Sequence, residues 1–360
     1  MKSQNYTVIT GSGSYIPTRR VLNEDFIGHL FYDENGTKVS KPTAEIIEKL
    51  EKISGIRERR YVTDDLVASD IAFLAAEDAL ISSGTDPESL DGIIVAHNFG
   101  DIRADNRKSE FVPALASRVK HRFKIANPST LALDLPFGCA GWLQGVIQAD
   151  QLLKSGSAKK IMVIGAETLS RVCDPHDRDS MIYSDGAGAV ILESIRSKDP
   201  VGILASTVKS YTDDFAYLIR MGGSSNPEFS GNMLFLKMNG HRLYESILKT
   251  VPGMIKETLE KAEFPLSRVD KFLIHQANEK MDEAVLRQLF SLHDLPVPSK
   301  NLLPMTISWL GNSSVATLPT MYDLMLKGRL ENHAINPGKY LILAAMGAGV
   351  NMNSILYKVL

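Results

Sequence analysis

The chain has 360 residues, enough to bury a full core in one large or two medium domains. Its 40 lysines and arginines nearly balance 42 aspartates and glutamates, leaving a formal charge of -2 that gives nucleic acid no reason to be the partner. Two cysteines, Cys139 and Cys173, exclude a disulfide framework and make no metal-binding spacing. The N-terminus lacks the apolar core of a signal peptide, and the longest apolar run, LILAAMGAGV, is too short for a membrane span. A cytoplasmic protein with no membrane span, no metal and no cofactor is the expectation.

In chain order, strand-like runs and helix-like runs alternate. YTVIT near the N-terminus reads as a strand, and the helical spacing of apolar residues predicts a helix over 68–83. DGIIVAH (91–97) and LALDL (131–135) read as strands, followed by helical periodicity over 141–155. KIMVIGA and GAVILES give two more strands before the charged turn IRSKDP. The remainder predicts helices over 242–262, 279–291 and 315–328, with strands at KFLIH and YLILAAM. Such alternation of apolar strands and helices is an α/β pattern.

The pattern repeats. PESLDGIIVAH (87–97) resembles PLSRVDKFLIH (265–275), each after a long amphipathic helix. Fifteen residues separate Cys139 from Lys154, and fifteen separate Asn312 from Lys327, each lysine being followed by glycine within two residues and then by a strand. Two halves, 1–200 and 201–360, are therefore expected to be copies of one unit. In that register Cys139 and Asn312 occupy the same place, the start of a helix, and facing copies would bring the two helix starts together.

Cys139 sits between a strand and a helix among Gly138, Ala140 and Gly141. A helix N-terminus favours thiolate over thiol, and small neighbours would let a carbonyl approach the sulfur, so a nucleophile is one reading and a small buried packing residue the other. His275 ends a strand, and Asn312 in WLGNSS taken alone is an ordinary helix cap. Together they supply a nucleophile, an imidazole and an amide.

Five segments in order, FGCAGW (137–142), YSDGAGAVILE (183–193), HQAN (275–278), GNSS (311–314) and GAG (347–349), with GIRERR (55–60) before them, carry a resemblance. Over essentially its full length the chain resembles the β-ketoacyl-acyl-carrier-protein synthase III family of the thiolase superfamily. The resemblance implies a five-layered αβαβα fold from two pseudo-repeated halves, a homodimer, and a catalytic triad of Cys139, His275 and Asn312. It implies that Cys139 takes an acyl group from a thioester, and that a malonyl-type thioester then loses carbon dioxide and attacks it. The backbone N–H groups of Cys139 and Gly349 would hold the oxyanion. Acyl carrier protein, coenzyme A thioesters or both would be the partners, with Lys280 and Arg287, and the basic run SRVKHRFK (117–124), as a rim for an acidic carrier.

Three departures bear on the substrate. Lys49 and Ile53 stand where housekeeping members carry a tryptophan and an arginine against the coenzyme A nucleotide, and Glu245 replaces a family lysine. Both favour a carrier protein or a longer acyl thioester as donor. The chain is also longer at 25–45 and around 98–112, the latter containing Glu110. Glu110 raises the alternative of a non-decarboxylative condensation of two acyl or β-ketoacyl thioesters, which needs a carboxylate base, as in dialkylresorcinol formation or head-to-head joining. A catalytically silent partner subunit is a further alternative, opposed by the intact triad.

Overall fold

The computed structural model describes residues 3–360. Two sheets form its framework. The first has strands β1 (Gln4–Tyr15), β2 (Gly92–Ala96), β3 (Leu131–Leu135), β4 (Lys160–Thr168) and β5 (Asp185–Ser197), in the order β1-β5-β4-β2-β3. The second has β6 (Gly202–Ser210), β7 (Lys271–Ile274), β8 (Tyr340–Gly347) and β9 (Asn351–Lys358), in the order β6-β9-β8-β7. In each, the first strand pairs antiparallel with the last, the last antiparallel with its predecessor, and the remaining pairs run parallel.

The helices that position the site are α1 (Ala68–Ser83), α2 (Gly141–Lys154), α3 (Gly240–Lys261), α4 (Glu279–Ser291) and α5 (Thr317–Leu326). Alternate residues of each sheet serve opposite faces, as the two-residue strand period requires. Ile94, Ala96, Ile161 and Val163 of the first sheet, with Leu341 and Leu343 of the second, enclose α2 and α5 in one central core. Ile93, Val95, Met162 and Ile164 turn outward onto α1 and the helix Leu115–Arg122. Ile342, Ala344 and Met346 turn outward onto α3 and α4. The result is helix, sheet, helix, sheet, helix: the expected αβαβα layering.

α2 and α5 are buried from both sides, which explains why their apolar periodicity is broad rather than a single stripe. Their close seat on the sheets needs missing side chains. A Cβ on Gly165 of β4 would lie 2.3 Å from the carbonyl oxygen of Val315, just ahead of α5.

Sequence periodicity locates α1 and α4 at their observed bounds and most strands within a few residues. β6, β9, the helix Thr43–Ser54 and the helix Leu115–Arg122 lie outside the expected elements. β9 hides because polar groups occupy buried positions. Asn353 and Ser354 are fully buried, Asn353 Nδ2 donating to the Ala140 carbonyl and Ser354 hydrogen bonding Thr258. No helix among the described residues is long and apolar enough to cross a membrane.

Gly165→Ala should cost about 1–3 kcal/mol, the scale of overpacking. A urea midpoint equal to that of the wild-type chain would show instead that the Val315 turn yields.

Candidate active site

β3 ends at Leu135, and the chain turns through Gly138 (φ +62°) into a short 3-10 turn, Gly138–Ala140, that runs straight into α2. Cys139 is thus at a helix start. The turn between β8 and β9 presses on it from the second sheet: a Cβ on Gly347 would stand 2.3 Å from the Cys139 nitrogen, and one on Gly138 would stand 2.5 Å from the Ala348 nitrogen. Neither side of this contact tolerates a side chain.

His275 follows β7 and donates its backbone N–H to the Ala344 carbonyl of β8 (2.9 Å). Behind it, the fully buried Gln276 accepts from the backbone N–H groups of Thr306 (2.8 Å) and Ile307 (3.0 Å) and donates to the Pro304 carbonyl (2.6 Å). Asn278 caps α4, its side chain accepting from the Met281 N–H (3.1 Å). So Gln276 and Asn278 shape the loop behind the imidazole.

Asn312 is held at its backbone by the Ile182 carbonyl and the Ser184 N–H (3.0 and 2.8 Å). Its Oδ1 accepts from the Ser314 N–H (2.9 Å), which leaves Nδ2 as the donor end. The loop rests on Arg59 of GIRERR: a Cβ on Gly311 would lie 2.9 Å from the Arg59 Cβ. Arg59 is itself fully buried, its guanidinium bonded to the Met181 and Val21 carbonyls and to Asn23.

Cys139, His275 and Asn312 line one cavity of about 1520 Å³, larger than the roughly 300–1,000 Å³ of ordinary small-molecule sites. Its walls are mostly apolar, with Leu50, Ile219, Met221, Leu236, Met238 and Tyr244 among them. Residues 37–41 of the added N-terminal segment also line it, and the tip of that segment at Gly36 lies against Pro227 of the loop joining the short strands Ile219–Gly222 and Phe235–Met238.

Burial sets the charge states. It pushes the Cys139 thiol up to about 11, the Ser314 hydrogen bond (Oγ to Sγ, 3.3 Å) opposing the rise and the Glu167 charge adding to it. The expected thiolate at a helix start is therefore a thiol at neutral pH, because desolvation outweighs the hydrogen bonds that favour the charged sulfur. Burial also lowers His275 to about 4, so its imidazole is neutral. His275 Nδ1 is buried without a partner among the described residues. A proton on Nε2 leaves only an acceptor unpaired at Nδ1, the cheaper of the two vacancies, so Nε2–H is the donor.

Other expected residues fall differently. Gly349 does not line the cavity, whereas Gly347 and Ala348 do. Gly349, at φ +75°, serves the reversal between β8 and β9, and it is the Ala348 nitrogen that packs against Gly138, next to Cys139. Lys280 is exposed at the start of α4, next to the cavity residues Asn278 and Met281, while Arg287 lies two turns on and faces Glu283 (3.5 Å). The run 117–124 is no rim. Arg118 pairs with Asp101, Lys120 donates to the Asn127 and Thr130 carbonyls, and Arg122 pairs with Asp70 over Phe73, all on the outer face of the first sheet. Glu110 is outside the cavity and faces Arg103 (3.2 Å) and Arg118 (3.6 Å). Sequence reasoning passed over Ser314, Asn98 and Glu167, which contact the sulfur directly or through one another. Ser314 lay inside the GNSS motif, and Glu167 ends the strand KIMVIGAE.

Known proteins share this architecture. The family described as 3-oxoacyl-[acyl-carrier-protein (ACP)] synthase III matches residues 133–212, and its C-terminal part matches residues 259–359. The chain is 32% identical over 357 residues to the β-ketoacyl-[acyl-carrier-protein] synthase III 1 of Vibrio parahaemolyticus, spanning 98% of this chain and 99% of that protein. The crystal structure of 3-oxoacyl-(acyl carrier protein) synthase III from Pseudomonas aeruginosa superposes with a TM-score of 0.80 at 25% identity over 98% of both chains. The priming β-ketosynthase of the R1128 polyketide pathway superposes with a TM-score of 0.81 at 23% identity, over 100% of this chain and 98% of that one, and shows the fold alone.

Iodoacetamide should label Cys139 and spare Cys173, which is buried and bonded to the Leu169 carbonyl (3.0 Å). Because the Cys139 pKa is raised to about 11, the labelling rate should climb through the alkaline range without a plateau near neutrality, read by peptide mass at each pH.

Proposed function

The chain belongs to the 3-oxoacyl-[acyl-carrier-protein] synthase III family, and from that premise we propose that Cys139, His275 and Asn312 share its acyl transfer and condensation. The enzyme is an acyltransferase that condenses a cysteine-bound acyl group with a malonyl thioester to give a β-ketoacyl thioester. Cys139 Sγ attacks the donor thioester, the carrier sulfur leaves as a thiol, and one thiol replaces another in the balance of protons. The N–H groups of Cys139 and Ala348 hold the tetrahedral oxyanion.

The malonyl thioester then binds with its carbonyl oxygen between His275 Nε2–H and Asn312 Nδ2. The bond to its carboxylate breaks, carbon dioxide departs, and the electron pair forms an enolate on that oxygen. The α-carbon attacks the acyl-cysteine carbonyl, and the Cys139 sulfur leaves and regains a proton. One observation carries this reading: Asn312 Oδ1 is occupied by the Ser314 N–H, so the amide offers a donor beside a neutral imidazole. Two neutral donors stabilise an enolate oxygen but remove no α-proton. Within one protomer Glu110 is bound to arginines outside the cavity and gives the non-decarboxylative alternative no base.

The carrier is read from the mouth of the cavity. Lys38, Lys41 and Lys49 line it beside Asp33, Glu45 and the Lys52–Glu48 pair, Ile53 offers no charge for a nucleotide, and Glu245 is exposed. These features, with the exposed Lys280, support an acidic acyl carrier protein as donor, and the cavity volume supports a long acyl chain. A homodimer is supported by the outer edge of β3, where Leu131, Leu133, Phe111 and Val112 are exposed beside an unpaired strand edge. The matching strand orders support 1–200 and 201–360 as two copies of one unit, and two free thiols fit the cytoplasm.

His275→Ala and Asn312→Ala should each still accept an acyl group on Cys139 while losing malonyl decarboxylation by about a hundredfold or more, as for a lost oxyanion donor. Carbon dioxide release at the wild-type rate would remove that residue from the enolate site. Glu110→Gln should condense at close to the wild-type rate. Charge reversal at Lys280 should lower the second-order rate with carrier-bound donors and flatten its salt dependence, whereas reversal at Arg287, which faces Glu283, should do less.

A further inference from the structure

A chain of hydrogen bonds runs from the cysteine into the first sheet. Ser314 Oγ donates to Cys139 Sγ (3.3 Å), and Asn98 Nδ2 donates to Ser314 Oγ (3.3 Å). The same Asn98 nitrogen donates to Glu167 Oε2 (2.6 Å), which also accepts the Asn98 backbone N–H (2.9 Å). Glu167 is fully buried near the end of β4, and its Oε1 has no partner among the described residues. Nothing else in the catalytic reading uses it.

The direction of this chain matters. A hydroxyl has one hydrogen. With Asn98 donating to its oxygen, Ser314 can send that hydrogen to the sulfur. Asn98 keeps its nitrogen toward Ser314 because a carboxylate, which accepts only, grips that nitrogen and the adjacent backbone N–H together. A sulfur about to become an anion then meets a fixed donor, which is what a partly buried, desolvated thiol needs to ionise.

We infer that Glu167 is a positioning residue for acyl transfer: it anchors Asn98, and so presents the Ser314 hydroxyl to Cys139 as a hydrogen donor. The inference rests on Cys139 being the nucleophile. Glu167 has a second, opposing influence, because its negative charge disfavours the thiolate. Burial raises Glu167 itself to about 7, with the His97 charge and the Asn98 hydrogen bonds opposing the rise. The other titratable groups facing them are His275 and Tyr183 on the cavity side, and His97 and Asp185 beside Glu167. His97 is held by Asp134 (2.9 Å) and by the Gly100 N–H (3.1 Å), and Asp185 by Ser170 and the Val62 N–H.

Two substitutions separate the anchor from the charge. Glu167→Gln removes the charge and keeps an acceptor for Asn98, and Glu167→Leu removes both. The pH profile of Cys139 alkylation by iodoacetamide, read by peptide mass, should lie at higher pH in the Leu variant than in the Gln variant. At a fixed pH below the midpoint the Leu variant should react about tenfold more slowly, the low end for a hydrogen bond to a charged group. In a Ser314→Ala background the difference should vanish, because the anchor then has nothing to aim. Asn98→Ala, which leaves Glu167 in place, should slow alkylation likewise, and again only while Ser314 is present. It serves as the test if the Leu variant does not fold. Equal Gln and Leu profiles, or a difference that persists without Ser314, would overturn the inference. Alkylation reads the thiol itself, so a wild-type Cys139 that alkylates normally yet never carries an acyl group would refute the nucleophile and leave the network standing.

Discussion

The contact between two backbone turns organises this molecule. The turn that carries Cys139 and the turn between β8 and β9 meet with no room for a side chain on Gly138 or Gly347. Each turn ends an element of a different sheet, so the two sheets cannot slide past one another without separating the nucleophile from the amides beside it. α2 and α5, buried between the sheets, enforce the same spacing from within. The site thus forms where the layers converge, and its precision follows from core packing, since close-packed interiors permit few alternatives.

Burial at that convergence also decides the chemistry. Desolvation drives the thiol up and the imidazole down, and both groups are neutral at pH 7. A neutral imidazole next to a carboxamide suits charge that develops during reaction better than charge already present. The cost is a sluggish nucleophile. The Ser314 hydroxyl compensates locally, and it does so through a network that reaches the first sheet at Glu167. On the proposed mechanism one half of the site tunes sulfur, while the other stabilises the enolate oxygen.

The wide cavity has a different origin. Its mouth is built from the segment of residues 25–45 and the hairpin of residues 219–238, which touch at Gly36 and Pro227. Asp174, fully buried, ties the hairpin down by pairing with Lys237 (2.5 Å) and accepting the Ser225 N–H (2.6 Å). Peripheral segments thus shape the mouth of the cavity, and the core shapes the centre around Cys139, which lets one vary without disturbing the other.

By itself the sequence determined the layered α/β class, the repeat and the three residues offered for catalysis. Apolar periodicity is a local consequence of burial, and the motifs around Cys139, His275 and Asn312 stand in contiguous runs. β9 escaped because its buried Asn353 and Ser354 find their partners on the turn leading into α2 and on α3, far along the chain. GAG pointed to Gly349, yet that glycine serves the backbone reversal and Ala348 faces the cavity. The run 117–124 looked like free charge because Asp70 and Asp101, which consume Arg122 and Arg118, lie on other elements. The protonation state of Cys139 and the Ser314–Asn98–Glu167 network belong to tertiary structure alone. Desolvation and hydrogen bonding depend on what surrounds a group in space, and here those surroundings come from three separate stretches of chain.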